Sequence, residues 1–271
     1  MGFIRIADVS HRYASREVLR NINLTLEEGE FVSIVGTSAS GKTTLLKLAA
    51  GLLRPSAGVV EMGGSPVQEF SREASIVFQN YSLLPWLSSL ENVHLAVESS
   101  FPDWSRSRQQ EHSVKYLEMV GLGSALSKRP GQLSGGMRQR VAIARAFAVE
   151  PKVLFLDEPF GALDALTRAT LQQELARLCN AQTPRATVLM ITNSVDEAIL
   201  LSDRILALGR GPGASLSPAL KVDLPRPRLS DLMNHNEEAV RLRACLSELL
   251  ASGGRGHAAP RVTREMFPVE A

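Results

Sequence analysis

The stretch Gly36-Thr-Ser-Ala-Ser-Gly-Lys-Thr43 fits the pattern G-x-x-x-x-G-K-[ST], and its flanks limit the fold more tightly than any other feature of the chain. Before it, Glu30 to Val35 reads as a buried strand; behind it, a helical pattern runs to about Ala50. Strand, loop and helix in that order let backbone N–H groups and a helix N-terminus cradle a polyphosphate. Lys42 is placed to neutralise β- and γ-phosphates and the Thr43 hydroxyl to ligate Mg²⁺. Gly36, Thr37, Ser38, Ala39, Ser40, Gly41 and Thr44 complete the candidate nucleotide-binding set. Ala39 stands where such loops usually carry glycine, so the backbone there must tolerate a Cβ.

Further short apolar runs, Ser75 to Phe78, Val153 to Leu156, Thr187 to Ile191 and Ile205 to Leu208, alternate with long helical patterns, which predicts an α/β fold around a parallel sheet. Over the first 30 residues, Ile4, Ile6, Ile22, Leu24 and Leu26 alternate with polar neighbours and predict antiparallel strands with one wet face. Residues 82–150 read as an inserted helical subdomain, with Val114, Leu117 and Val120 at three-residue spacing and a second pattern over Val141 to Phe147. After Leu208 the chain becomes Gly- and Pro-rich, a last helix is expected behind Asn236, and a loose tail beyond Ser252.

Hydrophobic residues make up 44% of the 271, enough for a substantial core. A formal charge of +2 without a long basic run gives no reason to propose a nucleic-acid partner. No signal-peptide pattern opens the sequence and no 18-residue apolar run follows, so a cytosolic chain is expected. Cys179 and Cys245 read as small hydrophobes, and the five scattered histidines lack zinc-site spacing.

Three more segments carry chemistry. The apolar strand Val153 to Leu156 delivers Asp157 and Glu158 ahead of Pro159, and adjacent residues at a strand end point to opposite sides. Asp157 then suits a Mg²⁺ shell, and Glu158 the role of general base or water positioner. Leu133-Ser-Gly-Gly-Met-Arg-Gln-Arg140 places Ser134, Gly135 and Gly136 at a helix start, a second phosphate-facing surface. Two such surfaces but one phosphate loop imply a site shared between two chains. Finally, Ala186 to Ile191 ends just before Asn193, a non-ionisable amide where ligands of open α/β sheets sit.

The order Gly36–Thr43, Gln79, Leu133-Ser-Gly-Gly, Leu-Asp-Glu-Pro and Gly161-Ala-Leu-Asp164 resembles the ATP-binding cassette (ABC) family of transporter ATPases over about residues 3–225. The resemblance implies a P-loop NTPase core with a parallel sheet, an N-terminal antiparallel β subdomain and an inserted helical subdomain. Residues 1–225 would form the ATP-binding domain, 82–150 its helical subdomain, and 226–271 a C-terminal helical extension and tail. It implies ATP and Mg²⁺ as ligands, Tyr13 stacked on adenine, and Gln79 reading Mg²⁺ and the attacking water. Ser134, Gly135 and Gly136 would meet the γ-phosphate held by a second ATPase chain, the same or a related one, with Asp164 contributing across the interface. Met137 stands where the family often has Gln. Gln79 to Val93 would receive a permease subunit at the cytoplasmic face of the inner membrane, with a periplasmic solute-binding protein as an indirect partner. The family usually has His at the position of Asn193; an amide can donate to a phosphate oxygen but cannot titrate near neutrality.

Thr192 to Leu201, Tyr81 to Leu87 and Gly211 to Ala214 narrow the resemblance to importers of nitrate, nitrite and cyanate, with importers of taurine and other sulfonates as the nearest rival. A cassette ATPase acting on DNA or ribosomes is disfavoured: there is one cassette, no coiled-coil insertion and no basic stripe, and Arg138, Arg140 and Arg145 read as a solvated or interface face. A regulator in which Asn193 has abolished hydrolysis is disfavoured by the presence of Glu158, Gln79 and Ser134 together.

Overall fold

The computed structural model describes residues 2–161, 163–181, 184–228 and 235–253. A long hairpin, β1 (Ile4–Tyr13) and β2 (Arg16–Leu26), leads into β3 (Phe31–Val35), the phosphate loop and α1 (Lys42–Ala49). The chain continues through β4 (Ala57–Met62), β5 (Ser65–Pro66) and β6 (Ala74–Val77), then three helices: α2 (Ser89–Ser100), α3 (Arg106–Met119) and α4 (Gly135–Ala148). It closes with β7 (Val153–Asp157), α5 (Ala165–Ala181), β8 (Thr187–Thr192), α6 (Val195–Leu201), β9 (Arg204–Ala207), β10 (Leu220–Lys221) and α7 (Glu237–Ala251).

Two sheets result. One is antiparallel, in the order β2-β1-β4-β5; the other runs β10-β9-β3-β8-β7-β6 and is parallel from β9 to β6. Strand periodicity divides the core. Val153 and Phe155 of β7, with Leu189 and Ile191 of β8, join α1 and the apolar face of the antiparallel sheet; Leu154, Leu156, Val188 and Met190 face the cluster built with the helices α2 to α5. The parallel sheet is therefore apolar on both faces, which is why β3, β7 and β8 read as near-continuous apolar runs.

Helix starts follow their local sequence. Ser88 forms a capping box with Glu91, and Ser105, Ser134, Ser194 and Asn236 each accept from a backbone N–H three residues on. A third, smaller cluster joins Ala239, Leu242 and Leu246 of α7 to Val35, Ala198, Ile199, Ile205 and Val222. Arg243 Nε adds a 2.8 Å bond to Asp196 of α6, so the C-terminal helix rests on α6.

The antiparallel part is larger than the first 30 residues: β4 and β5, from beyond α1, extend it along β1. β10 also lies outside the expected strands, while β6 and β9 each begin one residue early and end one residue early. The helical subdomain expected over 82–150 has its first helix at Ser89. Of the tail expected beyond Ser252, all but Gly253 lies outside the described residues. Cys179 is buried, Cys245 partly so, and both are free. Among the described residues, no helix is long and apolar enough to cross a membrane.

Candidate nucleotide site

β3 ends at Val35 and the chain turns through the loop into α1. Gly41 is the pivot. Its φ of 103° lies in the left-handed region, and a Cβ there would stand 2.9 Å from Val18 Cγ1 of β2. The hairpin therefore lies against the loop, and Tyr13, 48% exposed at its tip, packs edge-on to His11 with ring centroids 4.7 Å apart. Ala39 also adopts a positive φ, 61°, so the loop keeps the glycine-like conformation with a Cβ present.

Lys42 is buried beneath the loop. Its Nζ donates to Gly36 O at 3.0 Å, Thr37 O at 3.0 Å and Asn193 Oδ1 at 2.7 Å, using all the donors an ammonium has. Burial pulls its pKa down, opposed by the nearby Glu158 and Asp157 carboxylates. Asn193 Nδ2 in turn donates to Glu158 Oε1 at 2.8 Å, which itself lies 3.6 Å from Lys42 Nζ. The amide orientation follows from chemistry: lysine only donates and a carboxylate only accepts, so Oδ1 faces the first and Nδ2 the second. One neutral side chain thus bridges the loop cation and the strand-end carboxylate.

Asp157 lies in phase with Val153 and Phe155 and so faces α1, where Thr43 Oγ1 donates to its Oδ1 at 3.1 Å. Burial pushes the Asp157 carboxyl above its usual range, while the Thr43 hydroxyl pulls it back. Glu158 breaks from the strand with φ 46°, and its N–H donates to Ile191 O at 2.9 Å, which turns the side chain toward Asn193. Gln79, just past β6, reaches Glu158 Oε2 at 3.4 Å.

Ser134, Gly135, Gly136 and Asp164 lie elsewhere on the surface. Ser134 Oγ accepts from Met137 N at 3.2 Å, and Asp164 Oδ1 accepts from Thr167 N at 3.0 Å, which holds its carboxyl below the usual range. Among the described residues, none of their side chains bonds to the phosphate loop. A Cβ on Gly136 would collide with Thr167 Cγ2, so the start of α4 packs closely on the start of α5. Arg145 of α4 donates to Tyr81 O and Ser82 O at 2.9 and 2.7 Å, two consecutive residues at positive φ behind Gln79.

Sequence reasoning missed the support behind Asn193. Thr192 Oγ1 accepts from Ser194 N at 3.0 Å and donates to the buried Glu197 at 2.6 Å, and Arg168 of α5 lies 3.9 Å from the same carboxylate. Ser194 with Glu197 spells a capping-box pattern, the one signal available, yet the Glu197 carboxylate turns to Thr192.

The ABC transporter family model matches residues 19–161, the span from β2 past Glu158. The chain belongs to the ABC transporter family. Its cassette is similar to the bicarbonate transport ATP-binding protein CmpD of Synechocystis sp., at 44% identity over 89% of this chain and 86% of that one. It is also similar to the nitrate import ATP-binding protein NrtD of Synechococcus elongatus, at 46% identity over 83% and 81%. The bicarbonate transport ATP-binding protein CmpC of Synechocystis sp. is 51% identical over 78% of this chain, which spans 31% of that longer relative. Among solved structures, a dimeric post-hydrolysis state of the ATP-binding cassette MJ0796 bound to ADP and Pi has a TM-score of 0.73 at 31% identity, covering 82% of this chain and 100% of that one. The fold is thus that of a P-loop NTPase, and the cassette is an ATPase of its family.

Proposed function

We propose that this cassette energises uptake of a small inorganic anion, with nitrate or nitrite as the first reading. The observation that carries hydrolysis is the Asn193 bridge, which sets the phosphate-neutralising Lys42 and the water-directed Glu158 3.6 Å apart on one site. Glu158 polarises the attacking water, Gln79 holds Glu158 in place, and Asn193 offers an amide N–H toward the terminal phosphate. Tyr13 stacks on the base from the hairpin tip, and the Gly36–Thr44 backbone wraps the phosphates.

Thr43 and Asp157 fit Mg²⁺. Their oxygens lie 3.1 Å apart, and two adjacent ligands about 2.1 Å from an octahedral Mg²⁺ are about 3 Å from each other. Gln79, whose Nε2 faces Glu158, would offer its amide oxygen as a further ligand. Mg²⁺ favours octahedral oxygen coordination, so phosphate oxygens and water would complete the shell around these residues. Bound there, the ion would neutralise charge on the transferring phosphoryl group.

Ser134, Gly135, Gly136 and Asp164 face a second cassette, the same chain or a related one; the purely local bonds of Ser134 and Asp164 and the 80% exposure of neighbouring Leu166 support this. Gln79 to Val93, with Trp86 64% exposed, meets the permease at the cytoplasmic face of the membrane, and a periplasmic binding protein delivers solute to the other side. Bicarbonate is a second reading, supported by the names CmpC and CmpD. The test is uptake of labelled nitrate, bicarbonate and taurine by cells lacking this chain, complemented with the intact chain or Glu158→Gln. Nitrate uptake restored only by the intact chain supports the first reading. Restoration of bicarbonate or taurine uptake alone reassigns the substrate, and restoration by Glu158→Gln removes the hydrolytic role.

A further inference from the structure

Asn193 bridges Lys42 and Glu158 only if its own loop is held, and that loop is held from behind. Thr192 anchors it twice: its carbonyl accepts from Gly36 N at 3.4 Å, and its hydroxyl accepts from Ser194 N while donating to Glu197 Oε2 at 2.6 Å. Glu197 is 6% exposed, and burying a carboxylate is costly unless it is paired. Its other oxygen faces Arg168 Nε at 3.9 Å, a gap too long for a hydrogen bond. Among the described residues, that Nε is buried and has no hydrogen-bond partner. The other end of the guanidinium is committed, with Arg168 Nη2 donating to Leu163 O at 2.8 Å. Arg168 therefore spans from the Leu163 carbonyl to the carboxylate that fixes the Asn193 loop, with one contact made and one nearly made.

We infer that Arg168 and Glu197 are positioning residues for ATP hydrolysis: together they tie the backbone at Leu163 to the Thr192–Ser194 loop and so set Asn193 between Lys42 and Glu158. Even at 3.9 Å the Arg168 guanidinium offsets the charge of the buried carboxylate that anchors Thr192. Asp196, beside Glu197, turns outward to Arg243 of α7, so it does not compete for Arg168. The inference rests on the reading of Asn193 as part of the hydrolytic site.

The experiment is steady-state ATP hydrolysis by the purified full chain carrying Glu197→Gln, Arg168→Met or both, each repeated on an Asn193→Ala background, with melting points measured in parallel. Each single substitution is expected to lower kcat about tenfold with KM for ATP within about twofold, and the pair to cost no more than either alone. On Asn193→Ala the same substitutions should cost less than about twofold, because the group they act through is gone. Full turnover in either single variant, or the same tenfold loss on Asn193→Ala, overturns the link; the second result would mark a purely structural role. Should Glu197→Gln fail to fold, Thr192→Val and Thr192→Ser replace it: the link requires loss of turnover in the first and retention in the second. Retained hydrolysis in Glu158→Gln would instead remove the site reading itself.

Discussion

At the scale of single residues, the candidate site is bridged by an amide that both accepts and donates, as neither a cation nor an anion could. Asn193 accepts from Lys42 and donates to Glu158, and it does so at every pH at which those two are charged. Asn193→Ala should therefore lower kcat by about 100- to 1000-fold, as loss of one preorganised donor does elsewhere. Asn193→His should introduce a pH step near about 6.5 that the unaltered chain lacks. A pH series of steady-state hydrolysis for the three proteins checks both. Asp157 gives a prediction of opposite character. Burial raises its folded pKa above the unfolded value, so between the two the folded chain holds more protons and stability falls as pH rises through that window. Asp157→Asn removes this penalty and should raise the melting point of the nucleotide-free chain at neutral pH while abolishing Mg²⁺-dependent hydrolysis. The stability difference should vanish as pH drops below the unfolded value, and thermal melts across acid pH would show it. Lys42, Thr43 and Asp157 were legible because strand, loop and helix periodicity fix where each points. Arg168 and Glu197 were not, because their meeting depends on α5 and α6 packing side by side, which no local pattern encodes.

Between elements, the close approach of α4 to α5 explains Gly136 without reference to any ligand. Gly136→Ala would drive a Cβ into Thr167, at a cost of about 1 to 3 kcal/mol, and Thr167→Ser, which deletes the clashing Cγ2, should recover most of it. Urea midpoints of the two single variants and the double variant test this; no recovery would place the constraint elsewhere. Helix α7 carries its own test. Leu246 is fully buried in the small cluster against α6 and β9, so Leu246→Ala should destabilise by about 2 to 5 kcal/mol, read by denaturant unfolding. The expected α/β alternation held because the parallel strands are apolar on both faces and stand out from their surroundings. β4, β5 and β10 escaped notice for the converse reason. β5 and β10 are two-residue strands, and β4 carries Gly58 and is exposed or half-exposed at all but one position, so nothing in them repeats with period two for long enough.

On the scale of the whole molecule, the proposed shared site makes nucleotide a reagent of assembly. Glu158→Gln, unable to complete hydrolysis, should accumulate as a dimer with ATP and return to monomer with ADP, observed by size exclusion with light scattering; a monomer under both conditions would remove the pairing proposed for Ser134 and Asp164. Sheet order has a different consequence. β3 is flanked by β8 and β9, so the strand that presents the phosphate loop borrows both of its neighbours from the last third of the chain. During synthesis the loop leaves the ribosome early, yet Phe31–Val35, apolar along nearly its whole length, has no strand to lie against until Thr187–Thr192 and Arg204–Ala207 follow. For most of translation that edge is an open template for wrong partners, and protecting it until the C-terminal strands arrive falls to chaperones or to the speed of the ribosome.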